Sequence, residues 1–254
     1  MKSIFNPDFE KRNEVVYNCI VNYYRQGTFI YEGNRNSLKI FEIDNLTICV
    51  KAFKKPHIFN KIIYTYFRKS KAKRSFEFAN ILLQKGIGTP IPIAYYENFD
   101  TIGLNESYYV CEFLKTDFRF RELLDIDDEV KKTAILKQFV AFTYKLHQSN
   151  IEFIDHSSGN TLIKDLGDGN YDFYLVDLNR TNFNKKMTFI ERMNNFSKLT
   201  SRKDIVQIMS EEYAKLSGEN NELVFDEMWN ATQKFQQQHF RKKRLKKKLK
   251  FWKK

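Results

Sequence analysis

Hydrophobic and polar positions follow a short period in the first part of the chain and a longer one after it. GTFIYEG, NSLKIFEI and LTICVKAF cluster β-branched and aromatic residues between Gly and Asn breaks, which predicts three strands. A polar helical segment near residues 9 to 24 precedes them. Around 70 to 85, Phe76, Ala79 and Leu83 fall on one helical face. That helix stops at KGIGTPIP, where Gly86, Gly88 and Pro90 punctuate the chain. ESYYVCEFLK then reads as a buried strand. From Asp127 the period lengthens: Ile135, Phe139, Phe142 and Leu146 recur at i, i+4, i+7 and i+11, behind an acidic first turn. NTLI and YDFYLVD follow as two strands joined by KDLGDGN, whose Asp168-Gly169 is a hairpin signal. Everything beyond about 187 reads as helix. The pattern predicts an α+β chain: a β-rich lobe over 1–114 and a larger helical lobe over 115–240.

Composition supplies the material for that core. Of 254 residues 42% are hydrophobic, with 24 Phe and 14 Tyr. No apolar run approaches the ~18 residues of a spanning helix, and MKSIFNPDFEKRN lacks the apolar region of a secretory signal. Cys19, Cys49 and Cys111 are dispersed without a C-x-x-C, which points to reduced thiols in an intracellular chain, soluble or peripheral to a membrane. The net charge of +12 changes meaning once mapped. RKKRLKKKLKFWKK, residues 241–254, holds ten Lys or Arg and no acid, leaving about +2 for the rest. The basicity is therefore assigned to a tail.

Candidate chemistry centres on FIDHSSGNTLI. Ser157 and Ser158 lack the G-x-S-x-G frame of a nucleophile elbow. The four histidines, His57, His147, His156 and His239, show no zinc-ligand spacing, and His147 in a last helical turn reads as structural. Phosphoryl transfer fits better. It asks for an acid near the acceptor hydroxyl, an amide and a second acid for Mg²⁺, and a Lys on the nucleotide phosphates. Asp155 and Asn160 have the five-residue separation of the kinase catalytic loop, between a long helix and a strand. Asp177, at the end of the second hairpin strand, supplies the second acid. Lys51 in LTICVKAF resembles a kinase strand lysine, and Glu77 in RSFEFANILL is its natural partner on the following helix.

The blocks FRKSKAKRSFEFA, KGIGTPIPIAYYE, IDHSSGNTLI and FYLVDLNR resemble the lipopolysaccharide kinase (Kdo/WaaP) family, in the version found in Bacteroides-type bacteria. The similarity runs from about Gly27 to Asn182. The D-x-x-x-G-N core is also similar to that of aminoglycoside and choline kinases. The resemblance implies a bilobal protein-kinase-like fold, with a small antiparallel β-rich N-lobe carrying one key helix and a larger helical C-lobe. It implies ATP and Mg²⁺, and transfer of the γ-phosphate to a Kdo or heptose hydroxyl of a lipid A-linked core oligosaccharide. In that scheme Asp155 is the catalytic acid, Asn160 and Asp177 hold Mg²⁺, Lys51 holds the α/β-phosphates, and Glu77 holds Lys51. Glu112 and Leu114 would lie at the adenine hinge.

Three departures stand out. Phe153 and Ile154 replace the kinase His-Arg, so no loop arginine precedes Asp155. Leu-Asn follows Asp177 where protein kinases have Phe-Gly. G-x-G-x-x-G is absent, leaving Gly27, Gly33 and Arg35 as the candidates for covering phosphate. Within the tail, Leu245, Leu249 and Trp252 form a narrow apolar stripe if helical. That favours an anionic membrane surface over nucleic acid as the partner, and the family resemblance implies a peripheral location on the cytoplasmic face of the bacterial inner membrane. The competing expectations are a kinase-like phosphotransferase for another small-molecule or protein acceptor, and a membrane-associated pseudokinase scaffold.

Overall fold

The computed structural model describes the backbone of residues 1–251 and the side chains of residues 1–246. It divides into two compact units, Met1–Lys115 with Asp177–Asn179, and Thr116–Val176 with Arg180–Lys254.

In the first unit, β1 (Lys2–Phe5), α1 (Asn13–Val21), β2 (Thr28–Glu32), β3 (Asn36–Ile43) and β4 (Leu46–Phe53) come first. A short α2 (Ile58–Ile62) runs on into a π-helical turn, Ile63–Phe67, and α3 (Lys71–Gln84), β5 (Pro92–Phe99) and β6 (Leu104–Glu112) complete the unit. All six strands form one antiparallel sheet in the order β1-β5-β6-β4-β3-β2. Ile48, Val50, Ile93, Ala94 and Val110 build a core on the sheet, closed by Val16 and Ile20 of α1. Lys39 is buried in β3, where its Nζ donates to the carbonyls of Tyr23 and Gln26 at 2.7 and 2.8 Å. Its charge is thereby hydrogen-bonded, which a buried ammonium requires. Cys49 faces Cys111 across β4 and β6, both as free thiols, so these two are neighbours in space although distant in sequence.

The pattern did not predict β5. Six successive residues from Pro92 are buried, so the strand shows no polar alternation, and two prolines precede its apolar run. Helix α3 lies where expected: Ser70 caps it by accepting from Lys73 N–H at 3.0 Å. Its buried face is Ala72, Phe76, Ala79 and Leu82, with Leu82 rather than Leu83 the residue at zero exposure.

The second unit contains β7 (Phe118–Arg119), α4 (Phe120–Leu123), α5 (Glu129–Gln148), β8 (Glu152–Phe153), β9 (Thr161–Gly167) and β10 (Asn170–Leu175). After them come β11 (Thr181–Asn182), α6 (Phe189–Phe196), α7 (Lys203–Ser217) and α8 (Asn221–Phe251). Asp128 caps α5, accepting from Lys131 N–H at 2.9 Å, and Ile135, Leu136, Phe139 and Val140 are fully buried along it. They meet Phe120, Met193, Phe196, Met209 and Tyr213 in one core. The hairpin β9–β10 turns at Gly167, Asp168 and Gly169, all at positive φ, where glycine flanking an Asp meets the left-handed requirement. Among the described residues no helix is long and apolar enough to cross a membrane.

Candidate active site

The candidate residues fall into two groups, one in each unit. In the first, Lys51 lies near the middle of β4, paired with Leu38 on β3 and Tyr109 on β6, so that pleating fixes where it emerges. Its Nζ meets Asp177 Oδ1 at 2.9 Å, joining residues 126 apart in the chain. Asp177 has φ +61, a left-handed conformation that a non-glycine residue adopts only when its surroundings hold it. What holds it here is α3: Arg74 donates to Asn179 O at 2.9 Å, and Asn179 Nδ2 donates to Ser75 Oγ at 3.0 Å. Burial lowers the pKa of Lys71, and the charges of Arg35 and Arg74 lower it further, while Asp177 opposes them. Lys51, Lys71, Arg35 and Arg74 thus place a cationic field around one carboxylate. Lys71 was not singled out in the sequence, where it is one of a run of lysines.

Glu77 corrects the expectation. It is held by Lys69, with Nζ to Oε2 at 2.8 Å, and not by Lys51. Lys51 is already paired with Asp177, and Lys69, just before the α3 cap, reaches Glu77 directly. Gly27 leads into β2 and Gly33 lies in the turn between β2 and β3. Gly27 has φ +79 and lies against the Phe41 ring, where an added Cβ would come to 2.6 Å. Gly33 N–H donates to Asn36 O at 3.0 Å, closing the turn. Arg35 lies within that turn and, with Phe53, Tyr64 and Lys71, lines a cavity of about 360 Å³. Glu112 and Leu114 lie at and just beyond the end of β6, both half-buried, and burial raises the Glu112 pKa. Backbone hydrogen bonds from Glu112 N–H to Ile91 O and from Phe113 N–H to Thr47 O fix this stretch.

In the second unit, Asp155 and Asn160 belong to the turn between β8 and β9. Asn160 Nδ2 donates to Asp155 O at 2.8 Å, and Val176 N–H donates to Asn160 O at 3.0 Å. The five-residue spacing is thus the span of a turn closed by its own amide. With its nitrogen committed, Asn160 keeps Oδ1 as the atom able to ligate. Asp155 Oδ1 is 2.9 Å from Arg180 Nη1, a guanidinium three residues past Asp177. The arginine absent before Asp155 in sequence is therefore supplied from after the hairpin. Lys198 approaches the loop twice: its Nζ donates to Ile154 O, and its backbone bridges Ser157. Burial lowers the Lys198 pKa, opposed by the Asp155 charge. Lys198, Arg121, Arg202, Ser158, Thr200 and Ser201 line a polar cavity of about 360 Å³.

His156 is fully buried and forms part of the support. Asn195 Oδ1 accepts from His147 Nε2 at 3.3 Å and His156 Nδ1 at 3.1 Å, while Asn195 Nδ2 donates to Phe153 O at 2.9 Å. Since that amide oxygen only accepts, both facing ring nitrogens carry hydrogen. His147 Nδ1 then accepts from Tyr213 O–H at 2.9 Å. Burial holds the pKa of His147 at about 4 and that of His156 at about 3, so both rings are neutral at pH 7. A chain from α7 through α5 and α6 thus clamps the loop on both sides of Asp155.

Among the described residues no cluster of three His, Cys, Asp or Glu side chains forms a protein-only metal cage. The two oxygen donors expected from the sequence lie one in each unit, Asp177 in the first and Asn160 in the second, and each is of the hard oxygen type that Mg²⁺ takes. Leu245 is exposed on α8; the Leu249 side chain and Trp252 lie outside the described residues.

No protein-family model and no curated protein matches the chain. Among solved structures, one described as WaaP in complex with acyl carrier protein superposes with a TM-score of 0.65 at 13% identity. The match covers 94% of this chain and 98% of that one. The chain therefore has a WaaP-like, protein-kinase-like α+β fold.

Proposed function

We propose that this protein is an ATP-dependent kinase of a sugar hydroxyl, Kdo or heptose, in the lipopolysaccharide inner core. The observation that carries the reading is the pair of constellations on a WaaP-like fold. Lys51 is tied to Asp177 in one unit, and Asp155 is tied to Arg180 and Asn160 in the other. Each residue has work to do in phosphoryl transfer. Lys51, with Lys71 and Arg35 around it, binds and orients the nucleotide phosphates. Asp155, half-buried, accepts a hydrogen bond from the acceptor hydroxyl and takes its proton as the oxygen attacks phosphorus. Arg180 and Lys198 offset negative charge beside that carboxylate. Mg²⁺ would neutralise phosphate charge, with Asp177 of the first unit as its carboxylate ligand.

The acceptor's lipid anchor motivates a peripheral location on the cytoplasmic face of the inner membrane, which the basic α8 end supports by its charge. Two variants test the reading. Asp155→Ala abolishes transfer to lipid A–core while leaving nucleotide affinity within about twofold, because it removes the base and no phosphate ligand. Asp177→Ala instead removes the Mg²⁺-dependence of nucleotide binding. Wild-type turnover in either variant refutes the assignment, and unchanged phosphate content of lipid A–core in a deletion strain moves the acceptor elsewhere.

A further inference from the structure

The tail is not the only concentration of charge. Residues 54–74, KKPHIFNKIIYTYFRKSKAKR, contain six Lys, two Arg and no acid, and no Asp or Glu occurs between Asp44 and Glu77. The same stretch contains α2 and the π turn, a continuous helical segment from Ile58 to Phe67. One side of it is fastened to the β5–β6 hairpin. Thr65 Oγ1 donates to Lys61 O at 2.7 Å and accepts from Leu104 N–H at 2.9 Å. Lys61 pairs with Asp100 and donates to Asn105 Oδ1 at 3.2 Å. Gly103 permits the approach: a Cβ there would lie 2.5 Å from Thr65 Oγ1.

The other side is apolar and faces solvent. Phe59 and Phe67 are each 82% exposed, Tyr66 74% and Ile58 60%, in a chain that buries Phe120, Phe139 and Phe153 completely. Contiguous exposure of this kind marks an interaction surface. Cations accompany it: Lys54, Arg68 and Lys73 have no carboxylate partner among the described residues. An open cavity of about 580 Å³ adjoins the segment, lined by Tyr66, Phe67, Arg68, Lys69 and Lys73, with Glu97 also on its wall.

We infer that Ile58–Phe67 is a membrane-docking ridge. Its aromatic side chains enter the interface of an anionic bilayer while Arg68 and Lys73 take a phospholipid phosphate. Aromatic and aliphatic side chains beside unpaired cations match the two components of such a surface, an apolar acyl boundary under a layer of phosphates. The purpose of the ridge rests on the proposed lipid-linked acceptor, but its test does not.

The full-length protein is sedimented with phosphatidylglycerol-containing vesicles and with pure phosphatidylcholine vesicles, without nucleotide or acceptor. The expected result is binding to the anionic vesicles, weakened about tenfold in the Phe59→Ser/Phe67→Ser double variant and to a similar degree by Arg68→Gln/Lys73→Gln. All four side chains lie outside the cores, and phosphotransfer to a detergent-dispersed acceptor stays at the wild-type level. Wild-type affinity in the aromatic double variant overturns the proposal, as does equal binding to neutral vesicles. So does a variant that keeps vesicle binding but loses capture of a small acidic protein, which would make the ridge a protein interface. Aromatic-dependent vesicle binding without transfer to any acceptor would retain the ridge and reject the kinase reading.

Discussion

Asp155 and Arg180 show what one contact adds to a motif. The separation of Asp155 from Asn160 is readable in sequence because one turn spans it and the Asn160 amide closes that turn. Arg180 stands in the same LVDLNR block as Asp177, yet nothing local says that its guanidinium returns to Asp155. The Arg180 side chain is 61% exposed, so the pair contributes little to stability, within about 1 kcal/mol. On the proposed kinase reading its contribution belongs to the reaction. Arg180→Gln is expected to lower kcat by at least about tenfold with little change in Tm, since a charge beside the developing negative charge acts in the transition state. Full activity in this variant, measured at saturating ATP and acceptor, would remove Arg180 from the machinery. Glu77 teaches the converse: residue type and helix position suggested a partner for Lys51, and the nearer Lys69 took it.

At the scale of elements, α5, α6 and α7 set the loop around Asp155 through the Tyr213–His147–Asn195–His156 chain. Amphipathic spacing made α5 predictable, because its buried residues repeat with the helical period. The polar clamp was not predictable, since each member looks unremarkable until three helices converge. The clamp carries a pH dependence. Both histidines titrate near 6.5 when unfolded and at about 4 and about 3 when folded. A depressed folded pKa means that the unfolded chain takes up protons first as pH falls. Stability from these rings is fully present above about pH 6.5 and declines below it, by about 2 kcal/mol per histidine at pH 5. Urea unfolding at pH 7.5 and pH 5 should show this as a lower midpoint with unchanged slope; equal midpoints would refute it. β5 is one of the elements that sequence concealed, because a strand buried on both faces has no alternation to read.

For the whole molecule, charge distribution matters more than its sum. The last fourteen residues carry ten cations and the 54–74 stretch eight, so acids elsewhere mask two basic surfaces behind a modest remainder. Helix α8 extends through Phe251, which makes the basic end a continuation of a helix begun in the second unit rather than a separate segment after 240. Deleting residues 241–254 is expected to weaken binding to anionic vesicles, more so at low salt, while nucleotide affinity is unchanged. Vesicle affinity equal to that of the full chain would leave the basic end without a membrane role. By itself, the sequence determined the α+β class and the order of most elements, and it singled out Asp155, Asn160, Asp177 and Lys51 as candidates. Hydrophobic period and short-range spacing are local, and local constraints are written directly in the chain. Only the tertiary structure decided that Lys51 meets Asp177 across 126 residues, that Arg180 and Lys198 attend Asp155, and that Phe59 and Phe67 stay outside the core. Those pairings depend on which surfaces packing leaves adjacent or uncovered, and no period in the sequence records that choice.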